Sequence, residues 1–132
     1  MQIGIDQLAF YTPKTYLDLV DLAHARGEEP DKYRIGIGQS EQAIIPVTQD
    51  AVTLAANAAV RVVDDTNRNK IAMVLFGTES GIDNSKSAAI YLKRLLKLPD
   101  NIRAVEIKQA CYGATAGVQF AHDYVRLHPD KQ

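Results

Sequence analysis

The run IAMVLFGT, residues 71–78, constrains this chain more than any other stretch, because it carries no charge and is apolar on both faces. A strand with one wet face would alternate, so this one belongs in the middle of a covered sheet. A helical pattern follows from about Asn84 to Leu96, with Ala88, Tyr91, Leu92 and Leu95 spaced for burial and Lys86, Lys93 and Arg94 left for solvent. Pro99 closes the unit. A further strand at residues 102–108 (IRAVEIK) leads through Cys111 into a helix to about Leu127, where Pro129 forbids continuation.

The first half is less regular. Ile3 and Ile5 alternate with polar neighbours before Leu8, Ala9 and Phe10, which predicts an opening strand. Asp18 is placed to cap a short helix in which Leu19, Leu22 and Ala23 recur at helical spacing, and Gly27 supplies its stop before the charged turn GEEPDKYR. Residues 35–48 show no sustained period and read as an irregular connection with one short extended piece. From Asp50 onward Val52, Ala55, Ala56, Ala59, Val60 and Val63 fall on one helical stripe, which the polar cluster DDTNRNK ends.

The expected order is strand, helix, helix, strand, helix, strand, helix, an α/β arrangement with a mostly parallel sheet covered by helices. No linker, repeat or low-complexity segment divides the chain, so residues 1–132 are expected to form one domain. Three strands are few for such a sheet, and the last helix has no strand after it. The chain is therefore expected to be part of something longer.

Composition narrows the function. Fifteen Lys and Arg against sixteen Asp and Glu give a net charge of -1, so no overall positive field recruits nucleic acid or an anionic membrane. No apolar run approaches the roughly 18 residues of a membrane-spanning helix. A single cysteine, Cys111, excludes an internal disulfide and a Cys-based structural zinc site, which fits a cytoplasmic location.

Cys111 is expected between a strand and the start of a helix, where unpaired backbone N–H groups and the helix dipole favour a thiolate. Gly113, Ala114, Ala116 and Gly117 keep bulk away from the first turns of that helix. A buried, inert cysteine remains the competing reading. Glu79, in GTESGID, leaves the neighbouring strand at the same carboxyl edge, where ligand sites of open parallel sheets gather, so the two side chains could meet. A carboxylate near a thiol suits general acid/base work, although alone it would read as a solvated loop residue or a helix cap. His24, His122 and His128 read as surface residues. The glycines of IGIGQS make only a partial phosphate loop, and Lys32 and Arg34 beside Tyr33 could border a phosphate-bearing ligand or a solvated turn.

Together MQIGIDQLAFYTP, DKYRIGIGQ, GTESGIDNSKSAA and EIKQACYGATAG closely resemble the bacterial 3-hydroxy-3-methylglutaryl-coenzyme A synthases, in order along the whole chain. The resemblance implies a thiolase-like fold, here an incomplete first half of a longer two-half enzyme. It also implies condensation of acetyl-CoA with acetoacetyl-CoA and water in the mevalonate route, with both thioesters as substrates and no cofactor or metal. Carried over, it makes Cys111 the nucleophile that takes the acetyl group and Glu79 the general acid/base. Glu29 and Pro30 would border the coenzyme. A third catalytic residue, a histidine, would lie beyond Gln132, since none of His24, His122 and His128 matches it. The resemblance also implies a dimer, and the 132-residue chain alone is expected to be inactive. Two alternatives stand beside this: another thiolase-like acyltransferase of the β-ketoacyl synthase type, and a non-catalytic α/β interaction domain.

Overall fold

The structure, a computed structural model, describes residues 3–132. The chain separates into two compact units, one formed by residues 12–49 and the other by the described residues up to Tyr11 together with residues 50–132.

In the unit of residues 12–49, strand β1 (Tyr16–Asp18) pairs antiparallel with β2 (Glu41–Ala43), Tyr16 opposite Ala43. Helix α1 (Leu19–Arg26) starts where Asp18 accepts the backbone N–H groups of Val20 and Asp21, and ends at Gly27 in the left-handed conformation, φ 66°. Both boundaries follow the sequence expectation. Leu19 and Ala23 are its buried face. The charged turn winds into one helical turn, α2 (Asp31–Arg34), which starts after Pro30. Strand β1 is absent from the sequence reading, since three residues become a strand only through their partner.

The other unit is built on a β-α-β crossover. Strand β3 (Met73–Gly77) and β4 (Arg103–Ile107) run parallel, Met73 opposite Arg103 and Phe76 opposite Glu106, and α4 (Ala88–Leu95) joins them. Successive strand residues face opposite sides. Phe76 is buried with Val52 of α3 (Ala51–Ala59) and with Ala88, Ala89, Leu92, Leu96 and Leu98, so α3 and α4 cover one face. Burying Phe76 alone contributes on the order of 1.5–3 kcal/mol. On the other face, Gly117 of α5 (Gly113–Leu127) lies against Leu75 and Ile107. The expected α/β class and the parallel pairing are both present.

Three expectations are corrected. The opening strand at residues 3–10 does not form among the described residues, and Leu8 and Ala9 line a groove of about 660 Å³ together with Met73, Leu75 and Gly77. The first rung on that side of β3 goes instead to Gln132, whose N–H donates to the Lys70 carbonyl and whose carbonyl accepts the Ala72 N–H. Helix α3 ends at Ala59, which leaves Val60 exposed rather than on the buried stripe. Helix α4 begins at Ala88 rather than near Asn84, because Asp83 draws the N–H groups of Ser85 and Lys86 into a turn and Ser87 becomes the cap. With that start, Leu96 and Leu98 fill the core and Leu95 is exposed.

Candidate active site

The site begins with two glycines. A Cβ on Gly77, the last residue of β3, would come within 2.6 Å of the Ala114 nitrogen, and one on Gly113 within 2.9 Å of the Ile107 carbonyl oxygen. Only glycine lets the strand end and the first turn of α5 approach so closely. The N–H of Thr78 then donates to the Ile107 carbonyl, carrying the ladder one rung past β3. Glu79 is the next residue, so the ladder delivers it to the carboxyl edge of the sheet.

Cys111 sits in a single 3-10 turn, Ala110–Tyr112, between β4 and α5, and its thiol is exposed. Cys111 is therefore not the buried residue of the competing reading. The turn is held by the Tyr112 N–H donating to the Gln109 carbonyl, and Ala110 before it takes a positive φ of 43°. Helix α5 has no side-chain cap at its N-terminus, so its first N–H groups are not claimed by a capping side chain.

The Ala110 N–H donates to Oε1 of Glu79 at 2.5 Å. One hydrogen bond thus ties the Glu79 carboxylate to the backbone of the residue directly before Cys111, so both residues stand at the edge where the strand ends place them. Glu79 also lines a cavity of about 450 Å³ with Gly81, Lys86, Ser87, Glu106 and Lys108. An exposed thiol suits acyl transfer, and a carboxylate beside open space suits proton abstraction next to a carbonyl.

Glu29 is exposed and Pro30 half-buried in the unit of residues 12–49. In that turn Lys32 forms an exposed ion pair with Glu28 at 2.5 Å, which raises its pKa through the hydrogen bond, as befits a solvated turn. His24, His122 and His128 are exposed; His122 contacts Asp123, and His128 stacks on Tyr124. Among the described residues no group of three His, Cys, Asp or Glu side chains could hold a metal, and no helix is long and apolar enough to cross a membrane. Sequence reasoning missed the Ala110 N–H and Glu106. The signal for Glu106 was a charge at an inward register position of the strand IRAVEIK.

The hydroxymethylglutaryl-coenzyme A synthase N-terminal family model matches residues 1–128. The chain belongs to this family. It is 51% identical to the hydroxymethylglutaryl-CoA synthase of Enterococcus faecalis over the whole chain, which covers 34% of that protein. It superposes on an HMG-CoA synthase crystallised with CoA with a TM-score of 0.94 and 42% identity, covering 99% of this chain and 34% of that one. A second structure, MvaS in complex with 3-hydroxy-3-methylglutaryl coenzyme A, matches with a TM-score of 0.85 and 41% identity over 96% of this chain and 31% of its own. The family's fold is thiolase-like, and the chain adopts the corresponding part of it. It spans about a third of the length of the relatives it matches.

Proposed function

We propose that the protein supplies the nucleophile and the general acid/base of a hydroxymethylglutaryl-CoA synthase. The observation that carries this is the hydrogen bond from the Ala110 N–H to Glu79, which sets the carboxylate beside the turn bearing the exposed Cys111. Sγ of Cys111 attacks the carbonyl carbon of acetyl-CoA; the C–S bond to coenzyme A breaks, and CoA leaves as its thiol with the proton given up by Cys111. The N–H groups around the start of α5 are suited to hold the thioester oxygen as charge develops on it. Glu79 then removes a proton from the methyl group of acetyl-Cys111. The resulting enolate carbon bonds to the ketone carbon of acetoacetyl-CoA, and Glu79 returns its proton to the new tertiary alkoxide. Water cleaves the thioester to Cys111, freeing 3-hydroxy-3-methylglutaryl-CoA and the thiol.

Glu29 and Pro30 are assigned to the border of the coenzyme on the family resemblance. The same reading makes residues 1–132 the N-terminal part of a first thiolase-like half, in a cytoplasmic homodimer acting in the mevalonate pathway. Crystal structures of family members with CoA and with the product support acyl-CoA thioesters as substrates. The deciding experiment is incubation with radiolabelled acetyl-CoA followed by peptide mapping. Label on Cys111, absent from Cys111→Ala, is expected; label retained by Cys111→Ala would refute the assignment.

A further inference from the structure

We propose that Glu106 is a positioning residue that holds the loop carrying Glu79, an inference that rests on the acid/base role given to Glu79 above. Glu106 stands opposite Phe76 in the parallel ladder and shares the α4-facing side of β4 with Ala104. A half-buried charge at an inward position is costly unless it is partnered.

Glu106 meets one loop at two points. Oε2 accepts the N–H of Ala88, the first residue of α4, at 2.6 Å, while Ser87 caps the next N–H, that of Ala89. The charge thereby satisfies a helix-terminal donor and meets the positive end of the helix dipole. A Cβ on Gly81 would collide with Oε1, so the Gly81 backbone packs against the carboxylate. Gly81 is two residues beyond Glu79, and Ala88 is where the loop becomes helix. Residues 78–87 contain no helix or strand of their own. The Glu106 carboxyl therefore touches the loop twice, by a hydrogen bond at Ala88 and by packing at Gly81, and lines the same cavity as Glu79.

A clamp on the acid/base should act on the enolisation and condensation step and spare acetyl transfer to Cys111. The protein expressed from its complete reading frame is assayed twice: single-turnover acetylation by acetyl-CoA alone, and steady-state condensation with acetoacetyl-CoA. For Glu106→Ala we expect condensation to fall by at least about tenfold, since small misplacements of a reacting group have large effects on rate, with acetylation within about twofold of the parent. Glu106→Gln keeps an acceptor of the same reach for the Ala88 N–H and should recover most of the lost condensation. Condensation undiminished in Glu106→Ala, both steps falling in equal proportion, or no recovery with Gln would each overturn the clamp. If Glu106→Ala does not fold, Glu106→Asp, one methylene too short, is set against Glu106→Gln; equal condensation by the two overturns it as well. Cys111→Ala and Glu79→Ala are run in parallel. Acetyl uptake by the first or condensation by the second would sink the underlying acid/base and nucleophile assignment, whatever the Glu106 variants do.

Discussion

Gly77 and Ala114 meet backbone to backbone: there is no room for even a methyl group between the end of β3 and the first turn of α5. Gly77→Ala must push the strand end and helix apart, since the obstructing atoms are main chain and cannot swing aside. Overpacking of this kind costs roughly 1–3 kcal/mol. The expected result is a lower urea midpoint and slower acetylation of Cys111, because the helix that follows the nucleophile is displaced. An unchanged midpoint and acetylation rate would contradict the close approach.

Substitution separates the hydrogen bond of Glu79 to Ala110 from its proposed acid/base role. Glu79→Gln keeps an acceptor for the Ala110 N–H but cannot carry a proton between carbon and oxygen. Condensation should fall by about 10²–10⁴-fold, the usual contribution of a general acid/base, while acetyl transfer to Cys111 persists. Mass spectrometry of the accumulated acetyl-enzyme reads this directly; condensation at the parent rate would exclude the role.

Ala110 is held at a φ of 43°, a region disfavoured for any residue with a Cβ and severely so for a β-branched one. Ala110→Val is therefore expected to destabilise by about 1 kcal/mol or more, and Ala110→Gly to be close to neutral, the relieved strain offset by chain entropy. Equilibrium unfolding of the two variants side by side tests the order. Equal stabilities would mean that the turn before Cys111 is not held in this conformation.

Asp50 caps α3 by accepting the Thr53 backbone N–H at 2.8 Å and its hydroxyl proton, and the Thr53 hydroxyl in turn accepts the Asp50 N–H. The backbone bond from Thr53, followed by its side-chain bond, lowers the Asp50 pKa below the ordinary value of 3.8. With a folded-state pKa below the unfolded one, the stabilisation is present above about pH 4 and is lost as pH falls through the folded value. Asp50→Ala should lose about 1 kcal/mol at neutral pH, and the gap to the parent should narrow in acid. A gap that stays constant from pH 7 to pH 3 would remove the carboxylate from the account.

Much of the fold was legible because its signals are local. Asp18 and Gly27 bound α1, Asp50 starts α3, and the charge-free run at residues 71–78 contains β3. What escaped depends on partners distant in sequence. Tyr16 becomes a strand residue only because Ala43 lies beside it, and the alternation of Ile3 and Ile5 makes no strand because the segment has no ladder partner among the described residues. The Glu79–Cys111 neighbourhood was legible because both residues leave adjacent parallel strands at the same edge. The Ala110 N–H was not, since a backbone donor leaves no mark on the residue type that carries it.

The pairing of β3 with β4 through α4 has a kinetic consequence. Glu79, Glu106, Ala110 and Cys111 all come from one unbroken stretch of chain, and the strands that position them are joined by a single short crossover. Sites drawn from remote parts of a polypeptide must wait for long loops to close, whereas neighbours in sequence find one another quickly. The bond between the Ala110 N–H and Glu79 is thus expected to form early during folding, ahead of contacts that span longer stretches of chain.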